Sequence, residues 1–213
     1  MATSQAVLTP TTNTAPAVVS IPAGDPSGTI WVSRFPGSAA LSDLASPFKE
    51  NATAFVAALR AAGATVTISA TLRPPQRAYM MHWSWRVATN GYDPQTVPAM
   101  SGVNILWAHM VNGAYSEADS KAGAQDMVDG FGMQRLRTAP ALTSNHITGN
   151  AIDMSISWTG DLTIAKADGT SVTITSEPRT GMNVDLQAVG AAYGVIKFVG
   201  GASDIPHWSS DGH

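Results

Sequence analysis

No cysteine occurs in the 213 residues. That excludes a disulfide framework, thiolate zinc fingers, iron–sulfur clusters and a cysteine nucleophile. Any metal must therefore be held by imidazoles and carboxylates, and there are only five His. Charge is scarce as well. Asp, Glu, Lys and Arg make up 13% of the chain, about half of the usual ~25% share. Their balance of −3 argues against a chain that coats nucleic acid or an anionic membrane, since both require a basic surface. No apolar run approaches the ~18 residues of a membrane span. The start, MATSQAVLTPTTNTAPAVVSIPAG, has neither a positively charged region nor a continuous apolar stretch, so it does not read as a Sec leader. The serine-hydrolase elbow GxSxG is missing too. What is present is an ordinary apolar fraction of 44%. A single domain of this length would bury roughly 70% of its unfolded surface and needs no covalent staple.

The chain divides into residues 1–28, a Thr/Ala/Pro-rich tail or linker, and residues 29–213, one folded domain. The composition of Ile30–Phe35 predicts a strand. Ser46 is placed to cap a helix with Pro47 at its first position. Phe48, Ala52, Phe55, Val56 and Leu59 then recur at helical spacing, and Gly63 ends the run. Thr65–Leu72 alternates as a half-buried strand. Pro74 and Pro75 open a second helix that carries Tyr79, Met80, Trp83 and Val87 on one stripe. Residues 90–115, broken by Pro and Gly, give no clear pattern. Ser116 caps a third helix. From Ile152 the period changes to two: Ile152, Met154, Ile156 and Trp158 point one way, and Asp153, Ser155 and Ser157 the other. A hairpin is expected around Ala167–Gly169, a last helix from Asn183 to about Ala192, and a strand over Val195–Val199. Helices first and mostly antiparallel strands later give an α+β fold, with helices packed on the sheet.

The residues that stand out chemically are His146, Asp153, Asp204 and His207. A catalytic zinc takes three nitrogen or oxygen ligands and keeps one position open, a need that two His and one carboxylate meet. Ile147–Asn150 reads as a turn, because Gly149 and Asn150 tolerate positive φ. Asp153 then falls on the polar face of a strand whose other face belongs to the core. Taken singly, Asp153 is equally a solvated strand acid, His146 a surface imidazole and Asp204 a turn-forming Asp. Their company is what carries weight.

That company is Ser144-Asn145-His146-Ile147-Thr148-Gly149-Asn150-Ala151-Ile152-Asp153 and, further on, Asp204-Ile205-Pro206-His207-Trp208. These stretches resemble the zinc peptidases of bacterial peptidoglycan, the D-alanyl-D-alanine carboxypeptidases and dipeptidases and the L-alanyl-D-glutamate endopeptidases of phage lysins. The pattern SxHxxGxAxD is matched by Ser144, His146, Gly149, Ala151 and Asp153. The second pattern, an acid three residues before His-Trp, is matched by Asp204, His207 and Trp208. The resemblance covers roughly residues 65 to 209. It implies a hedgehog/DD-peptidase-like fold with zinc at the sheet cleft, His146, Asp153 and His207 as ligands, and Asp204 as general base. It also implies an arginine that steadies the substrate carbonyl and the oxyanion. Arg73 occupies that place at the end of a strand, although Ala70-Thr71-Leu72-Arg73 lacks the family's Gly and aromatic residue; Arg77 is a rival. Trp208 is either a wall of the site or core beside it. His82 reads as a packing residue, and His109 matches no ligand spacing.

The function so implied is hydrolysis of peptide bonds in peptidoglycan stem peptides or cross-links, by a chain expected to act as a monomer. The alternative is a non-catalytic, zinc-stabilised cell-wall-binding module of the same fold; a metal-free wall protein is a third class. Without a Sec leader, the protein is expected to be made in a bacterial cytoplasm and to reach the periplasm or wall by holin release or by injection. The mild acidity favours an injected effector, which would need a neutralising immunity partner in its producer.

Overall fold

The computed structural model describes residues 24–213, so the expected tail lies outside the described residues up to position 23. In chain order come β1 (Asp25–Pro26), a 3₁₀ turn at Thr29–Trp31, another at Leu41–Asp43, α1 (Phe48–Ala61), β2 (Thr65–Ala70) and α2 (Pro75–Asn90). A 3₁₀ turn at Pro94–Thr96, β3 (Ile105–Leu106), β4 (His109–Val111), β5 (Ala114–Ser116) and α3 (Glu117–Gly130) follow. Then come β6 (Ala151–Ser157), β7 (Leu162–Ala165), β8 (Ser171–Ile174), α4 (Val184–Ala192), β9 (Ile196–Lys197), a 3₁₀ turn at Gly201–Ser203 and β10 (His207–Ser209). Among the described residues no helix is long and apolar enough to cross a membrane.

The fold is α+β. Its central sheet has the order β2-β6-β10-β9, and every pairing in it is antiparallel. Two hairpins, β4–β5 and β7–β8, are also antiparallel; the short β1–β3 pair is parallel. Alternation decides which way the sheet faces. Ile152, Met154 and Ile156 of β6 and Trp208 of β10 join Phe48, Phe55 and Leu59 of α1, Leu162 and Ile174 of the β7–β8 hairpin, and Leu186 of α4 in one core. A second core holds α2 and α3 together through Tyr79, Met80, Trp83 and Met127, with Trp31 and Trp107 packed among them.

Helix ends follow local chemistry. Ser116 Oγ accepts from the Asp119 amide at the start of α3, and Asn183 Oδ1 accepts from the amides of Asp185 and Leu186 at the start of α4, as N-caps do. Ser46 behaves differently from the expected cap. Its hydroxyl donates to the Glu50 carboxylate at 2.7 Å, a charge-assisted bond, and Pro47 precedes the first helical residue instead of occupying it.

The strand expected over Ile30–Phe35 does not form; the chain there is a 3₁₀ turn followed by irregular structure. Side-chain packing overrides β-propensity at this place. Trp31 is buried, and its Nε1–H donates to the Pro26 carbonyl. Arg34 lies over its ring and pairs with Asp25. The carbonyls of Val32 and Phe35 face the Arg77 guanidinium rather than a neighbouring strand. At the other end, Val195–Val199 contributes only Ile196–Lys197 to the sheet.

Candidate metal centre

β6 and β10 lie side by side with His207 directly opposite Asp153 and Trp208 opposite Ile152. The antiparallel register thus closes a gap of 54 positions and turns both polar side chains to the face away from the main core. Trp208 points the other way. It is fully buried and packs on Phe55 at 5.6 Å, so it supports the site from beneath and forms no wall of it.

His146 arrives from the turn before β6. Ser144 Oγ accepts the His146 amide. Gly149 has φ 71°, and a Cβ there would stand 2.8 Å from the Ala45 nitrogen, which explains a glycine at that position of the motif. On the far side, the register of β2 shifts between Ile68 and Ala70 opposite Asp153, an irregularity of the kind that re-aims chains beside functional sites. Beyond it the Thr71 carbonyl meets His146 Nδ1 at 3.0 Å.

Three ligand atoms converge. His146 Nε2 and His207 Nδ1 each lie 3.1 Å from Asp153 Oδ1, and one ligand atom from each residue lies within 4.8 Å of the others. A carbonyl oxygen only accepts, so Nδ1 of His146 carries the hydrogen that reaches Thr71. In the same way Nε2 of His207 donates to the His213 carbonyl at 3.1 Å. In the neutral rings the inward nitrogens are then bare. Two lone pairs and an anionic oxygen facing one another repel unless a cation or a proton sits among them. Imidazoles whose outer N–H is held by a carbonyl are the usual dress of metal-binding His, and the donor set of two nitrogens and one oxygen fits a metal ion. His146, Asp153 and His207 can therefore hold one.

When no ion is bound, a proton takes its place between the imidazoles and Asp153, and the electrostatics are those of this protonated cluster. Burial pushes the Asp153 carboxyl up, but hydrogen bonds from His146 and His207, helped by their charge, outweigh it and hold the pKa well below the usual carboxylate range. Burial would depress His207; its bonds to Asp153 and to the His213 carbonyl reverse this, and its pKa is raised. Asp204 is raised, first by burial and then by the Asp153 charge. Its Oδ2 lies 4.0 Å from His207 Nδ1, close to the cluster without joining its tight set.

These residues open into a cleft of about 670 Å³. His146, Asp153, Asp204 and His207 line it with Arg73, while Met81, Phe131, Met133 and Leu136 form an apolar wall. The Arg73 amide donates to the His146 carbonyl at 3.0 Å, which ties the end of the β2 segment to the ligand turn. Arg77 does not line this cleft. It donates to the Val32 carbonyl at 3.0 Å and stacks over Phe131, and burial lowers its pKa. His82 donates through Nδ1–H to the Pro140 carbonyl at 2.8 Å, and it stands edge-on to Trp83. His109 pairs with Ser27 in a separate place.

Motif reading does not reach several residues that shape the site. Thr71 and His213 act through main-chain carbonyls, which leave no side-chain signature. Lys197, buried against Trp208, donates to the carbonyls of both Asp204 and His207 at 3.0 and 2.9 Å. A Lys within an apolar strand, seven positions before an acid of the site, was the available signal. No family model, curated protein or solved structure matches the chain.

Proposed function

We propose that the protein is a zinc-dependent peptidase that hydrolyses peptide bonds in the stem peptides or cross-links of bacterial peptidoglycan, on a hedgehog/DD-peptidase-like scaffold. The observation that carries this reading is the pair of imidazoles with outwardly anchored N–H groups, meeting one carboxylate beside a second, partly exposed acid in an open cleft. The sequence pattern around these residues supplies the substrate class. Zinc would contribute Lewis acidity, polarising a carbonyl and making water acidic enough to ionise near neutrality.

The roles of the chain's own groups follow. Asp204 accepts the proton of the attacking water on a carboxylate oxygen and returns it to the leaving amine. Its raised pKa moves it towards the value that suits a general base near neutral pH. Arg73 stabilises the negative charge that develops on the carbonyl oxygen. The wall of Met81, Phe131, Met133 and Leu136 receives apolar parts of the substrate and limits water at the reacting bond. Water and one amide go in; one carboxylate and one amine come out.

The test is mass spectrometry of muropeptides after digestion of purified peptidoglycan. New carboxyl and amino termini should appear within the stem peptide or cross-link, vanish with chelator and return with zinc. Zinc uptake without any new terminus would contradict a peptidase and leave the zinc-stabilised wall-binding module. Two delivery routes fit this function: holin release of a phage lysin, and injection of an antibacterial effector with an immunity partner in its producer.

A further inference from the structure

The two imidazoles of the site are anchored by unlike means. His146 leans on the carbonyl of Thr71, a fully buried residue that continues the β2 strand. His207 leans on the carbonyl of His213, which belongs to an exposed turn after β10. That turn contributes little apolar burial, so side-chain hydrogen bonds must set its shape.

One carboxylate oxygen organises it. Asp211 Oδ1 accepts from Asn145 Nδ2 at 2.7 Å, from the His213 amide at 3.0 Å and from Ser209 Oγ at 3.2 Å. Asn145 Nδ2 also donates to the His213 carbonyl at 2.8 Å, the same oxygen that receives His207 Nε2–H. The Gly212 amide donates to Ser209 Oγ at 2.8 Å. Gly212 itself has φ 82°, a conformation that favours glycine. The chain is thereby folded back until its His213 carbonyl faces the ring of His207. Asn145 stands beside His146 in sequence, so this single amide links the turn that carries His146 to the turn that anchors His207.

We propose that Asp211 and Asn145 are positioning residues for the metal ligand His207: they hold the His213 carbonyl on Nε2–H and so fix the orientation of the ring whose Nδ1 faces the metal. The inference rests on the metal reading of the site. Neither residue belongs to the ligand set, and Asp211 is exposed and enters no core. An outer partner of this kind typically changes metal affinity by about 10–100-fold.

The test measures zinc affinity of the full chain by competition with a chromophoric chelator. Asp211→Ala should weaken zinc binding about 10–100-fold, with the melting midpoint of the metal-free protein unchanged. Asp211→Asn keeps an oxygen acceptor at Oδ1 and should stay near wild type. Asn145→Ala should weaken binding in the same direction, which keeps the test available if Asp211→Ala folds poorly. Wild-type affinity in both alanine variants would overturn the positioning role while leaving the metal site standing. So would an Asp211→Asn protein as weak as Asp211→Ala. Failure of the wild-type chain to take up zinc would instead overturn the metal reading, and this inference with it.

Discussion

The two faces of β6 and β10 are written in alternate residues of the same strands, yet they serve opposite ends. The inner face, with Ile152, Met154, Ile156 and Trp208, is almost wholly buried. The outer face presents Asp153 and His207 to a cleft. Asp153 lies between two core residues and His207 immediately precedes one. These two candidate ligands are therefore held by backbone that the core already immobilises, and a slip of register by one residue would exchange the two sets. Asp204 and Arg73 differ again. They stand on connections flanking the strands, Asp204 after a 3₁₀ turn and Arg73 between β2 and α2, where a side chain reaches over a cleft more readily than into it.

Substitutions on either face should break function and stability separately. Asp153→Ala should abolish zinc uptake and hydrolysis while the protein still folds, as metal analysis and circular dichroism would record. Trp208→Ala, one residue beyond its cross-strand partner, should do the reverse in kind. Its expected loss is about 3–5 kcal/mol of stability in chemical denaturation. If Asp153→Ala unfolded the protein as Trp208→Ala does, the division of labour between the faces would be wrong.

The flanking residues sharpen the comparison. Asp204→Ala should retain zinc but lose about 10²–10⁴-fold in hydrolysis, the usual effect of removing a general base; full activity would mean another acid takes the proton. Arg73→Ala should lower kcat about 10²–10³-fold, and Arg73→Lys should rescue it only in part, since the planar fork is lost. Arg77→Ala, which removes contacts to Val32 and Phe131, should act on stability rather than kcat. A crippled kcat in Arg77→Ala alone would transfer the oxyanion role to it.

The smallest effect expected is one of pH. The raised pKa of His207 in the metal-free fold means that its contribution is present below its unfolded value of about 6.5 and is lost as pH rises through the folded one. Calorimetry of metal-free protein should therefore show stability falling as pH rises above about 6.5. Zinc affinity should rise in the same direction of pH, because ligation requires neutral imidazole. Parallel trends for the two would contradict the assignment of His207 as both pair partner and ligand.

Much of this arrangement could be read from the chain. The period of two from Ile152 to Trp158 placed Asp153 on a polar face, and the two short motifs singled out the three residues that the fold brings together. Helices and hairpin were legible because capping residues and apolar spacing are local properties. Ile30–Phe35 was not, since the packing of Trp31 among α2 and α3 and the guanidinium of Arg77, both made with residues distant in sequence, decide its conformation. The 54-position closure between Asp153 and His207 depends on strand register, which no local pattern reveals. The carbonyls of Thr71 and His213 were invisible for a simpler reason: every residue has one, and only the fold selects which of them meets an imidazole.

The most direct measurement is the zinc content of purified protein by elemental analysis, wild type beside Asp153→Ala and Asp204→Ala. The expected result is one zinc per chain in the wild type, none in Asp153→Ala and one in Asp204→Ala. No zinc in the wild type, or equal zinc in the wild type and Asp153→Ala, would contradict a metal centre built on the outer face of the sheet.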